Sequence, residues 1–307
     1  MENKDLNLTS MAAMFADENK ARGWLESKLW PNGPVCPHCA CVDVYDLAKT
    51  RAGLYKCKAC KKQFTVRIGT IMEESKIPIC KWLMAIHLMT SSKKGVSSHQ
   101  IARECGITQK SAWFVNHRIR EAMKQEPMAS MLEGTVEVDE TYVGGKPRKG
   151  TGPHKRGRGT KKTPVMVLVE RDGDGIHCKP IENVDGKTLK GQIAVNVAKA
   201  SVIITDELSA YNGVGEDFDG GHETVNHGSG QYVREMLEGL KVHTNTAESF
   251  FALLKRGHYG IFHHLSKKHL HRYCVEFAFR WAHRKVSDGE RMVAAILGVE
   301  GKRLMYG

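Results

Sequence analysis

The 307-residue chain has no long hydrophobic run. Its clearly apolar stretches, such as Val165 to Val169, fall far below the roughly 20 residues a membrane-spanning helix needs, so no membrane role is expected. The opening residues, Met1-Glu2-Asn3-Lys4-Asp5, carry no apolar segment of the kind that begins an export signal, and the expected address is cytoplasmic. There is no internal repeat, and no low-complexity tract apart from one basic loop. Acid is in short supply: 34 Asp and Glu stand against 46 Lys and Arg, a formal charge of +12 that points to a polyanionic partner. With 41% hydrophobic and 26% charged residues the chain is neither disordered nor fibrous, and its length suits two domains with a small extra module.

Nine cysteines in a chain without an export signal are expected as reduced thiols, so regular spacing among them points to metal before disulfides. Cys36-Pro37-His38-Cys39 and Cys57-Lys58-Ala59-Cys60 are two matched C-x2-C pairs with seventeen residues between them. Each pair on a tight turn aims two thiolates at one ion, and four sulfurs close a tetrahedral zinc shell with no position left for substrate. The expected Zn2+ is therefore structural. Short strands are expected over Val42 to Leu47, Leu54 to Cys57 and Lys61 to Val66, which makes a zinc ribbon. Cys41 is near enough to replace Cys39, but Cys39 keeps the matched spacing. Cys80, Cys105, Cys178 and Cys274 read as isolated small apolar residues.

Pro78 to Thr90 has helical apolar spacing, Ser98 to Cys105 fits a second helix, Gly106 a turn, and Gln109 to Met123 a third helix capped by Thr108. This is a helix-turn-helix outline whose polar face, with Lys110, Asn116, His117, Arg118 and Arg120, could enter a major groove. Helices give way to β-branched alternation at Gly134. Lys146 to Lys162 holds eight Lys or Arg, four Gly and no acid, so it reads as a basic loop that is either a solvated linker or a phosphate-tracking segment. A hairpin is expected from Pro164–Arg171 and Gly175–Val184, a helix from Asp185–Val197, and a further strand near His222 to Val233. A last long helix fits Ser266 to Lys285.

Three carboxylates stand where a mixed sheet can gather them. Asp139 lies within the strand Gly134 to Val143, on the face it shares with Glu137 and Thr141; Asp206 ends the strand Ser201 to Asp206. Glu248 lies on the helix Thr244 to Arg256, on a face with Asn245, Ala252 and Lys255, while Phe250, Phe251, Leu253 and Leu254 turn elsewhere to bury. Such hard oxygen ligands suit Mg2+ or Mn2+, and a pair of ions about 4 Å apart supports in-line phosphoryl transfer. Lys255, two turns beyond Glu248, could hold a DNA backbone beside the ions.

These residues resemble a known family: bacterial insertion-sequence transposases of the DDE superfamily, in the ISXO-like branch with an N-terminal zinc ribbon. The resemblance rests on Trp30 to Cys39, Lys61 to Thr70, Val138 to Lys146, and His243 to Glu248 running on to Lys255-Arg256-Gly257, and spans roughly Trp24 to Arg284. It implies an α/β (mixed) chain: zinc ribbon with an N-terminal extension over 1–70, helix-turn-helix-like module over 71–130, ribonuclease H-like catalytic domain over 131–286, and C-terminal tail over 287–307. It implies Asp139 and Asp206 as the first two catalytic metal ligands. Some relatives use Asn as the third; here Glu248 is the first choice, as the better magnesium ligand with Lys255 following, and Asn245 the second, with helix capping as its other role. The activity implied is metal-dependent cleavage at element ends to free a 3′-hydroxyl, then strand transfer. DNA is the implied partner, as terminal inverted repeats and as target, with a homodimer or larger assembly at the bacterial nucleoid. Expected DNA contacts are Lys110, Arg118, Lys146, Arg148, Lys149, Lys155, Arg156, Arg158 and Arg256, with further cations from Lys267, Lys268, Arg272, Arg280 and Arg284. His258, His263, His264, His269 and His271 crowd the same region as polar contacts or a second metal site. A regulator with an inactive second domain and a nuclease that only hydrolyses are the other two readings.

Overall fold

In the computed structural model, residues 6–124, 131–145, 159–230, 233–235, 239 and 241–304 are described. The chain packs as two units, 1–125 with 285–307 and 126–284.

The first unit opens with α1 (Leu8–Met14) and α2 (Glu18–Leu29), each started by a side-chain cap, Asn7 and Asp17 respectively. The ribbon follows: β1 (Val44–Asp46), β2 (Tyr55–Cys57) and β3 (Gln63–Phe64) form one antiparallel sheet. Trp30, Tyr55 and Phe64 pack ring against ring beside it, at centroid separations of 5.7–5.9 Å. Next come α3 (Ile79–Ser91), α4 (Ser98–Cys105) and α5 (Gln109–Ala122), at the places the spacing expects. Local chemistry explains the match. Gly106 takes the left-handed conformation (φ 58°) that ends α4, and Thr108 accepts the Ser111 amide to start α5.

The C-terminal segment is a helix where a tail is expected. α9 (Asp288–Leu297) begins with a capping box in which Ser287 and Glu290 satisfy each other's backbone, and it buries Met292, Ala295 and Ile296. It packs on α3, and Thr70 bridges to Glu300 just beyond it.

The second unit is built on a five-stranded mixed sheet of β4 (Thr135–Val143), β5 (Thr163–Glu170), β6 (Ile176–Pro180), β7 (Val202–Asp206) and β8 (His222–Val225). The order is β6-β5-β4-β7-β8, with β4–β5 and β5–β6 antiparallel and β4–β7 and β7–β8 parallel. Counted from its own first strand this is 3-2-1-4-5, the ribonuclease H-like arrangement. Alternation sends Val136, Val138, Met166 and Leu168 to one face, beneath Leu189 and Ile193 of α6 (Gly186–Asn196). Val165, Val167 and Val169 go to the other, beneath Phe250 and Leu254 of α7 (Asn245–Gly257) and Cys274 and Phe277 of α8 (Leu270–Ala282).

Three segments differ from expectation. The strand near His222 ends at Val225, and a small hairpin of β9 (Arg234–Glu235) and β10 (Lys241–Val242) follows. The helix expected over Ser266 to Lys285 is shorter: a tight turn over Lys267–His269 leads into α8 at Leu270, and α8 ends at Ala282. Cys178 and Cys274 are neighbours rather than isolated: they pack in one core between β6 and α8, and burial pushes the Cys178 thiol well up.

Candidate functional site

The ribbon's four sulfurs lie together. Cys36, Cys39, Cys57 and Cys60 place every Sγ within 4.8 Å of the others, with Cys36–Cys60 at 3.7 Å and Cys39–Cys57 at 3.5 Å. A tetrahedron of sulfurs about 2.3 Å from one zinc has edges of about 3.8 Å, so the set fits the ion. The Cys60 amide donates to Cys57 Sγ at 3.4 Å and holds that thiol down at about 6, favouring the thiolate that binds metal. Cys41 stands apart, its thiol donating to the Asp43 carbonyl at 3.6 Å.

Asp139 sits on the β4 face that looks toward α7. The β4–β7 ladder pairs Glu137 with Ile204 and ends there; two residues further along each strand, alternation turns Asp139 and Asp206, the last residue of β7, to that same face. At the end of β7, Asp206 Oδ1 accepts the Leu208 amide at 3.1 Å. Burial pushes the Asp139 carboxyl up to about 8, helped by the negative charges of Glu140, Asp206 and Glu248 and opposed by the Glu140 amide it accepts. The charges of Asp206 and Glu248 thus reach Asp139. Among the described residues only the ribbon cysteines form a group of three or more ligand atoms all within 4.8 Å, so these three carboxylates stand more widely open.

α7 carries Glu248 exposed in its first turn and Lys255 and Arg256 exposed in its last, while Phe250, Phe251 and Leu254 bury. Asn245 is the first helical residue and exposed, but it does not cap: Thr244 holds the cap position and its side chain makes no capping bond. That job falls to a residue from another strand. Glu137, fully buried on β4, accepts the Thr246 amide at 2.7 Å, the Ala247 amide at 3.1 Å and the Thr246 hydroxyl at 2.9 Å. Arg171, just past β5, donates to Glu137 from Nε at 2.9 Å, and also donates to the carbonyls of Lys241 and His243. Nothing in the sequence marked this contact beyond the face that Glu137 shares with Asp139.

Tyr211, 1% exposed, donates its hydroxyl to Glu140 Oε2 at 2.7 Å, and burial pushes its phenol well above the ordinary value, with the charges of Glu140, Asp139 and Asp206 adding to it. Glu140, one residue along β4 from Asp139, turns to the opposite face of the sheet, where Tyr211 lies in the core beneath α6.

The expected DNA contacts divide. Lys110 is exposed in the first turn of α5. Arg118 is not available: it is 4% exposed, donates to the carbonyls of Ile71 at 2.6 Å and Glu73 at 2.8 Å, and lies over the Phe114 ring. Asn116, His117 and Arg120 are buried with it, because the later turns of α5 are packed all round. Lys146, Arg148, Lys149, Lys155, Arg156 and Arg158 lie outside the described residues. Near α8, Lys267 and Lys268 are exposed, whereas Arg280 is buried against Glu276 and Arg284 pairs with Asp174 at 3.2 Å. Among the described residues no histidine group has metal-binding spacing. No described helix is long and apolar enough to cross a membrane.

Comparison with known proteins agrees with this architecture. An ISXO2-like transposase domain matches residues 131–282, and a transposase zinc-ribbon domain matches residues 16–63. An uncharacterized protein in the transposable element ISH50 of Halobacterium salinarum is 30% identical over 254 residues, which is 79% of this chain and 83% of the relative. Likeness to solved structures is slight. The Mos1 transposase paired-end complex with left transposon end shares 15% identity over 72% of this chain and 79% of its own, at a TM-score of 0.26. The Drosophila P element transposase strand transfer complex shares 12% over 65% and 55%, at 0.25. The chain belongs to the ISXO2-like transposase family and carries that family's zinc ribbon.

Proposed function

We propose that this protein is a metal-dependent DNA transposase that cuts at insertion-sequence ends to free a 3′-hydroxyl and joins that end to target DNA. The observation that supports this reading is that Asp139 and Asp206 turn to one sheet face, with the charges of Asp206 and Glu248 adding to the rise of the buried Asp139 carboxyl. Asp139, Asp206 and Glu248 are the residues that hold the divalent cation, and their hard oxygens and wide spacing suit it. When bound, Mg2+ or Mn2+ supplies Lewis-acid polarisation of the attacking and leaving oxygens. Lys255, exposed two turns beyond Glu248, holds the phosphate backbone in place, and Arg256 and Lys110 add contacts of the same kind. Lys146, Arg148, Lys149, Lys155, Arg156 and Arg158 are proposed as further phosphate contacts. The ribbon and the α4–α5 turn bind the terminal repeats, and joining two ends calls for a dimer or larger assembly at the nucleoid.

The test is incubation of purified protein with labelled element-end DNA, supercoiled target plasmid and Mg2+, beside Asp139→Asn. Joined products are expected, falling by several kcal/mol of lost barrier reduction, on the order of a thousandfold, in the variant. Cut DNA without joining identifies a hydrolytic nuclease. Specific binding with neither product identifies a regulator built on an inactive catalytic domain.

A further inference from the structure

Helix α7 is started from a distance. The first turn of any helix leaves amide groups without partners, and these are ordinarily met by the side chain just before it. Thr244 gives no such bond. The amides of Thr246 and Ala247 are instead taken by Glu137, a carboxylate 109 and 110 residues away in sequence and 0% exposed. Its negative charge also suits the positive end of the helix dipole. One oxygen of the carboxylate holds both amides, and the other holds the Thr246 hydroxyl and Arg171 Nε, with His243 Nδ1 at 3.2 Å.

The position of this contact matters because of what lies on either side. Two residues along β4 from Glu137, on the same face, is Asp139. One residue along α7 from Ala247 is Glu248, whose own amide makes the first bond of the helix, to the Thr244 carbonyl at 3.0 Å. The tie therefore fastens the strand that carries the first carboxylate to the turn that carries the third. Arg171 strengthens it from a third element, binding Glu137 while holding the Lys241 and His243 carbonyls that lead into α7.

The geometry points to Glu137 as a positioning residue that sets the distance between Asp139 and Glu248, acting through the α7 N-terminus and locked by Arg171. The inference rests on the reading of Asp139, Asp206 and Glu248 as metal ligands. Glu137 does not itself touch the metal; it fixes where one ligand stands.

Mn2+ binding to the full-length, zinc-loaded protein, followed by the electron paramagnetic resonance signal of free Mn2+, tests this without turnover. Glu137→Gln keeps the shape of the side chain and removes its charge. The expected result is a folded protein whose Mn2+ affinity is down about tenfold, the usual scale for a residue that orients a ligand. Asp139→Asn is measured alongside and is expected to lose Mn2+ binding outright. A folded Glu137→Gln with unchanged affinity, beside an Asp139→Asn that has lost it, overturns the positioning role alone. Unchanged affinity in both variants removes the metal site and this inference with it. Should Glu137→Gln not fold, Thr246→Ala deletes one hydrogen bond to the same carboxylate and is expected to weaken Mn2+ binding about threefold; wild-type affinity there overturns the proposal.

Discussion

Arg118 stands on the helix where a groove-reading side chain is expected, yet its guanidinium is spent inside the protein. Two carbonyls, those of Ile71 and Glu73, accept from it, and the Phe114 ring covers it. Its loss leaves both carbonyls without that donor, so Arg118→Ala is expected to cost about 2–3 kcal/mol of stability while the folded variant binds DNA as before. Lys110→Ala is expected to do the reverse: unchanged melting, weaker DNA binding, and a salt dependence shallower by about one counterion. Melting curves and salt-titrated binding of both variants check the pair. His87 offers a second residue-scale prediction. It is 4% exposed, its Nδ1 makes no hydrogen bond, and burial lowers its pKa from the ordinary 6.5 against the pull of Asp288. The native state thus keeps the neutral ring while the unfolded chain takes up a proton below 6.5. Stability from this group is complete above 6.5 and declines as the pH falls, by at most about 1.4 kcal/mol per pH unit. Melting temperatures at pH 7.5 and 5.5 are expected to lie closer together in His87→Phe than in the native sequence.

At the scale of elements, the parts that could be read from sequence are those whose signals are local. Gly106 and Thr108 mark the α4–α5 turn within three residues, and the paired cysteines mark the ribbon, so both stand where expected. Strand alternation put Asp139 on the correct face without a partner to confirm it. α9 was legible in principle: Ser287-Asp288-Gly289-Glu290 is a capping-box pattern, and the box forms with Glu290 Oε2 accepting the Ser287 amide at 2.9 Å. Ser287→Ala is expected to cost about 1 kcal/mol, seen as faster hydrogen exchange of the α9 amides. Other features had no such signal. Burial of α5 depends on what packs around it, and a lysine or arginine on a helix looks the same in sequence whether its head faces solvent or a carbonyl. The cap on α7 comes from β4, so no window around Thr244 contains it.

On the scale of the molecule, the first unit is discontinuous in sequence: its helices before residue 125 are completed by the segment from 285 onward, with the whole sheet unit inserted between. The returning segment is closely fitted. Ile71 donates its amide to Val299, Gly301 to Gly69, and a Cβ added at Gly298 would stand 2.2 Å from the Ala122 carbonyl oxygen at the end of α5. Arg291 also donates to the Thr90 carbonyl at the end of α3. By contrast the ribonuclease H-like sheet has its own two cores, on either face, from residues between 132 and 277. Removing residues 285–307 is therefore expected to uncover α3 and α5 while leaving the sheet intact. Hydrogen exchange should show protection falling in the helices of the first unit, with β4, β5 and β7 holding theirs. Gly298→Val, which crowds the same contact without shortening the chain, should give the same pattern in milder form. An equal loss of protection in the β4–β5 ladder would mean that the two units are one cooperative body, and that the returning helix supports the catalytic sheet as well as the module it completes.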